Sequence, residues 1–136
     1  MSPTWTRVEP LDEAESMRML ASVRWGRCAW STEEGPRVLP VNYSVLDGKL
    51  YFRTGLYGDL AGAAEGGAVA LEADELDDRL SSGWSVVVLG EADQVQDPVA
   101  VAALFARMSE PWAPGPRPVL VQVTPSQVTG RRFLRS

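Results

Sequence analysis

The chain has 136 residues, 45% hydrophobic and 23% charged, with a net charge of −5; this fits one globular domain over residues 1–136 and argues against nucleic acid, whose binding needs cationic surface. No apolar run approaches the roughly 20 residues of a membrane span, the N-terminus lacks an apolar signal region, and a lone Cys28 makes a reducing cytoplasm the expected location. The absence of histidine removes Ser-His-Asp triads, Cys-His dyads and His-ligated zinc or haem, so no metal is expected.

In chain order, Asp12 followed by Glu15 is a capping-box-like start, and Met17, Leu20 and Ala21 recur at helical spacing, predicting a helix over 13–23. Residues 25–32 alternate, with Trp25, Arg27, Ala29 and Ser31 on one face, and 33–36 read as a turn. Residues 37–54 form two alternating runs meeting at Asp47-Gly48, a dipeptide suited to a type I′ hairpin. The second run closes on Arg53-Thr54 beside Gly55 and Gly58. An arginine fork and a hydroxyl entering a glycine-bearing loop suit a phosphate, although strands also end in Arg-Thr without any ligand.

Residues 58–65 can form a short helix, weakened by Gly62. Residues 68–74 read as a strand, and the acidic cluster of 72–78 as a solvated loop. Residues 83–95 are long and β-branched, interrupted at Gly90, where a bulge fits. Asp97 and Pro98 open a helix through about Met108, and 110–118 are too proline-rich for regular structure. A last strand is expected over 119–124, then a tail over 125–136. Hairpin-joined strands with helices at crossovers indicate a mainly β antiparallel barrel or closed sheet. Cys28 reads as a small buried hydrophobe, Trp25 and Trp30 as core or interface, and Trp112 as cover for a pocket or dimer surface.

Four segments carry a resemblance: Pro40-Val41-Asn42-Tyr43, Tyr51-Phe52-Arg53-Thr54, Gly83-Trp84-Ser85-Val86 with Gly90-Glu91-Ala92, and Thr129-Gly130-Arg131-Arg132. In this order they resemble the pyridoxamine 5′-phosphate oxidase-like, or FMN-binding split-barrel, proteins, over a core of about 11–132. The resemblance implies a six-stranded, Greek-key-like antiparallel split β-barrel with peripheral helices. It also implies a homodimer with two cofactor sites at its interface, and an FMN-dependent oxidoreductase acting on a small molecule. On the same grounds the backbone of Val41, Asn42 and Tyr43 meets the polar edge of the flavin ring. Arg53 and Thr54 hold the phosphate with the start of the short helix, here Asp59 and Leu60. Trp84 and Ser85 approach from the neighbouring subunit, and Arg131 reaches the site.

One position departs from the family pattern. Gly58-Asp59 stands where a Ser/Thr-Lys pair is usual. A carboxylate about 4 Å from a phosphate costs on the order of 4 kcal/mol per unit charge at an effective dielectric near 20. Three readings stay open. FMN binds through Arg53 with Asp59 turned away or paired to Arg53; the cofactor is another flavin or the deazaflavin F420; or the chain has lost its cofactor and is a non-catalytic, ligand-binding dimer. Trp84 stays open between core aromatic and cofactor contact, and Tyr43 between an acid, a ring contact and a half-buried strand tyrosine.

Overall fold

Alternation of apolar and polar side chains builds this molecule, because each strand buries one face and shows the other to solvent. The computed structural model describes residues 7–55, 62, 67–110 and 116–135. Among them are seven strands: β1 (Arg7–Leu11), β2 (Trp25–Thr32), β3 (Gly35–Leu46), β4 (Lys49–Thr54), β5 (Gly67–Asp77), β6 (Ser82–Val95) and β7 (Val119–Leu134). Two helices accompany them, α1 (Glu13–Ala21) and α2 (Pro98–Arg107).

All pairings are antiparallel. β2–β3–β4 and β5–β6–β7 are two meanders, and the pairs β2–β5 and β4–β7 close them into a ring of six strands. β1 lies outside the ring, against the C-terminal half of β7. The chain is therefore a six-stranded split barrel with peripheral helices, and closure protects its ladder edges. Cys28, Tyr43, Phe52, Leu71, Val86 and Val121 are among its buried inward side chains. Burial pushes the Cys28 thiol up to about 11, fitting a packing role rather than a reactive one.

Local chemistry sets the connections. Asp47 and Gly48 both have positive φ, 52° and 79°, as a type I′ turn requires. The Asp12 carboxylate accepts the Glu15 N–H at 2.8 Å and starts α1, whose Leu20 is fully buried. The Tyr43 hydroxyl donates to the Leu20 carbonyl at 2.6 Å, tying α1 to β3. Asp97 caps α2 with Pro98 behind it, and Arg107 in its last turn reaches Asp47 at the hairpin tip, 3.0 Å away.

Three expectations are corrected. The acidic cluster is not a loop but continues β5 to Asp77. Leu71 and Ala73 point inward there, so Glu72 and Asp74 fall on the solvent face, where Arg27 pairs with both. The tail is also strand: β7 runs past Pro125 to Leu134. Pro125 sits opposite Gly90 at a register shift, a bulge where a missing N–H does no harm, and the Ser126 hydroxyl donates to the Leu89 carbonyl there. β1 was not foreseen, because its short sequence has no pattern of its own. The helix expected over 58–65, with Asp59 and Leu60, and the residue Trp112 lie outside the described residues.

Candidate functional site

Strand register decides which of the expected site residues can act together. On β3, Val41 and Tyr43 point into the core, while Asn42 faces outward and its amide donates to the Arg24 carbonyl at 3.2 Å. Tyr43 is almost fully buried, and its phenol is pushed up in pKa, by burial first and then by the charge of Glu72. Its side chain is a core group bonded to α1, and its backbone N–H donates to the Arg24 carbonyl at 3.0 Å.

Arg53 and Thr54 fall on opposite faces of β4. Thr54 is buried on the core side. Arg53 lies outward under α2, its guanidinium carbon 3.8 Å from the Phe105 ring centroid and its Nε donating to the Arg117 carbonyl at 3.1 Å. Trp84 is likewise a core aromatic, packed with the barrel interior. Its neighbour Ser85 faces outward and accepts from Arg131 Nε at 3.3 Å.

The outer face of β3, β2, β5, β6 and β7 thus gathers Asn42, Ser85 and Arg131. Asn42 pairs with Trp25, Asp74 with Ser85, and Ser85 with Arg131. Between them lies a group that sequence reasoning missed as a site. Arg27 Nη1 is 3.0 Å from Glu72 Oε1 and 3.3 Å from Asp74 Oδ2. Glu72 is pushed up to about 7, first by burial, then by the hydrogen bond and charge of Asp74, with Arg27 opposing. The signal was present in the sequence, since Leu71-Glu72-Ala73-Asp74 alternates strictly. Beside this band is a shallow trough of about 450 Å³, floored by the small side chains Ala29, Ala68 and Ala70 and bordered by Pro36, Leu89 and Glu91. A smaller hollow of about 260 Å³ adjoins Ser85, Val87, Thr129 and Arg131.

Comparison with known proteins places this geometry in context. Rv0080 of Mycobacterium tuberculosis, an uncharacterised protein, is 40% identical, over 98% of this chain and 96% of its own length. A Corynebacterium glutamicum structure, solved as a candidate pyridoxamine 5′-phosphate oxidase, is 31% identical with a TM-score of 0.80, covering 95% of each chain. The FAD-binding protein of Mycobacterium smegmatis is 31% identical with a TM-score of 0.73, covering 93% of this chain and 99% of that one. The family model described as pyridoxamine 5′-phosphate oxidase matches residues 12–132, nearly all of the barrel. With that match and these relatives, the chain belongs to the pyridoxamine 5′-phosphate oxidase-like family.

Proposed function

We propose that this chain is a flavin-binding oxidoreductase that works as a homodimer on a small-molecule substrate, with FMN as its cofactor. The observation that carries the reading is the outer barrel face, where Asn42, Ser85 and Arg131 lie on one side of the Arg27–Glu72 row and the alanine-floored trough lies on its other side. This donor set fits the group in kind. An amide, a hydroxyl and a guanidinium suit the polar ring edge and an anionic tail, and small side chains leave room for a flat ring. Backbone groups of Val41, Asn42 and Tyr43 are proposed to line the ring edge. Arg53, with Thr54 at the end of β4, is proposed for the phosphate beside Asp59 and Leu60. A bound flavin supplies the redox chemistry itself. The protein's part is to bind it, orient it and limit water around it.

FAD is the second reading, favoured by the FAD-binding protein of Mycobacterium smegmatis at 31% identity. Parallel fluorescence titrations with FMN, FAD and F420 decide among these cofactors. The expected result is saturable FMN binding in the micromolar range or below. FAD or F420 binding alone replaces FMN with that cofactor. No binding of any at about 100 µM overturns the flavin reading in favour of a non-catalytic ligand-binding dimer.

A further inference from the structure

We propose that Glu72 is a specificity-determining donor at the centre of the outer barrel face, a neutral carboxylic acid that hydrogen-bonds to an acceptor atom of the bound flavin ring. This role rests on the flavin reading and adds to it a residue, a direction for its hydrogen bond and a dependence on protons.

Strand register places the group. Side chains on the outer face fall into rows that cross the strands. One row holds Asn42 on β3 and Asp74, Ser85 and Arg131 on β5, β6 and β7. The next holds Arg27, Glu72 and Val87, and the one after it Ala29, Ala70 and Leu89. Asp74 and Ala70 are four residues apart on β5, roughly 13 Å along an extended strand. A flat ligand held by Asn42, Ser85 and Arg131 and seated over the alanine floor therefore crosses the middle row, and Glu72 is at its centre.

The local charges decide what Glu72 offers there. Glu72 and Asp74 project from the same face of β5, two residues apart, and share one guanidinium: Arg27 Nη1 is 3.0 Å from Glu72 Oε1 and 3.3 Å from Asp74 Oδ2. Two carboxyl groups against one cation, both partly withdrawn from water, hold a proton between them more tightly than either does alone. Burial first, and then the hydrogen bond and charge of Asp74, hold the Glu72 carboxyl up to about 7, with Arg27 opposing. Near neutral pH Glu72 is thus an acid that gives a hydrogen bond, where an ordinary carboxylate only accepts. When that O–H turns from Asp74 to a ligand, Asp74 keeps Arg27 as its partner and no charge is stranded.

The remaining neighbours leave this balance in place. From β6 the uncharged Ser85 and Val87 face Glu72, and from the core side of β3 the Tyr43 phenol, which burial keeps protonated. Arg131 lies beyond Ser85, on β7. Glu91 lies opposite Ala68, four residues along β5 from Glu72 and again roughly 13 Å away.

A donor that serves only while protonated ties ligand to pH. Below pH 7 the proton is already in place and affinity is level. Above it, each bound ligand takes up as much as one proton, and affinity falls by up to about tenfold per pH unit. A ligand that instead presents a cation to Glu72 shows the opposite trend, so the row selects ligands with an acceptor at this point.

Calorimetric titration of the full chain with riboflavin at pH 6 and 8, in two buffers of different ionisation heat, reads affinity and proton uptake together. Riboflavin lacks the phosphate, and its ring does not titrate in this range. The wild type is expected to bind about tenfold tighter at pH 6 than at pH 8 and to take up close to one proton at pH 8. Glu72→Gln keeps an N–H donor in place and is expected to hold the wild-type pH 6 affinity at both pH values, with no proton uptake. Asp74→Asn is expected to move the midpoint of the pH dependence below 7, which a purely structural role for the pair would not do. FMN is titrated in parallel, with Glu72→Gln as the reference for titration of its phosphate. Wild-type binding that is level between pH 6 and 8, or a pH dependence that survives in Glu72→Gln, overturns the donor role and leaves the flavin reading standing. Failure of both riboflavin and FMN to bind at either pH overturns the flavin reading, and the role of Glu72 falls with it.

Discussion

Adjacent in sequence, Arg53 and Thr54 point to opposite faces of β4, and this alternation changes how a phosphate could be held there. Arg53 is oriented by the Phe105 ring and the Arg117 carbonyl, contacts that fix its plane while keeping it at the strand end. Charge-assisted hydrogen bonds contribute roughly 1.5–3 kcal/mol. Arg53→Ala is therefore expected to weaken FMN by about ten- to a hundredfold, with little change for riboflavin, which lacks the phosphate. Equal losses for both ligands in parallel titrations would assign Arg53 to seating α2 instead. At this scale the sequence pointed to the residue types but not to their directions. Tyr43 and Trp84 carried two readings each, and only the register shows both side chains in the core. The Arg27–Glu72–Asp74 group was hidden for a different reason: its members are 45 and 47 residues apart and meet only through the β2–β5 pairing.

Elements with strong local signals were legible. The Asp47-Gly48 turn, the Asp12 and Asp97 caps and the Gly90 bulge are each fixed by chemistry within a few residues, and each is found. The second half of β7 was not, because Pro125 and the polar residues after it read locally as a tail. Its strand state comes from partners far away, β6 on one side and β1 on the other. A close approach of α1 supports it too: a Cβ at Gly130 would run into the Ser16 side chain. Overpacking of this kind costs roughly 1–3 kcal/mol. Gly130→Ala is thus expected to lower stability by about that amount in urea unfolding, without changing the slope. An unchanged midpoint would show that α1 does not press on β7 as described.

At the scale of the whole molecule, the ring of six strands buries one set of side chains and leaves an outer sheet face that is part apolar and part charged. The family's fold explains the ring. A flavin and a second copy of the chain are both proposed, so a single measurement addresses both. Sedimentation velocity of the purified chain with added FMN, followed at about 280 and 450 nm, reads protein and flavin together. The account predicts that the flavin absorbance travels with a species of about twice the 14.8 kDa chain mass. Flavin absorbance that stays with the slow, free cofactor while the protein sediments alone would contradict it.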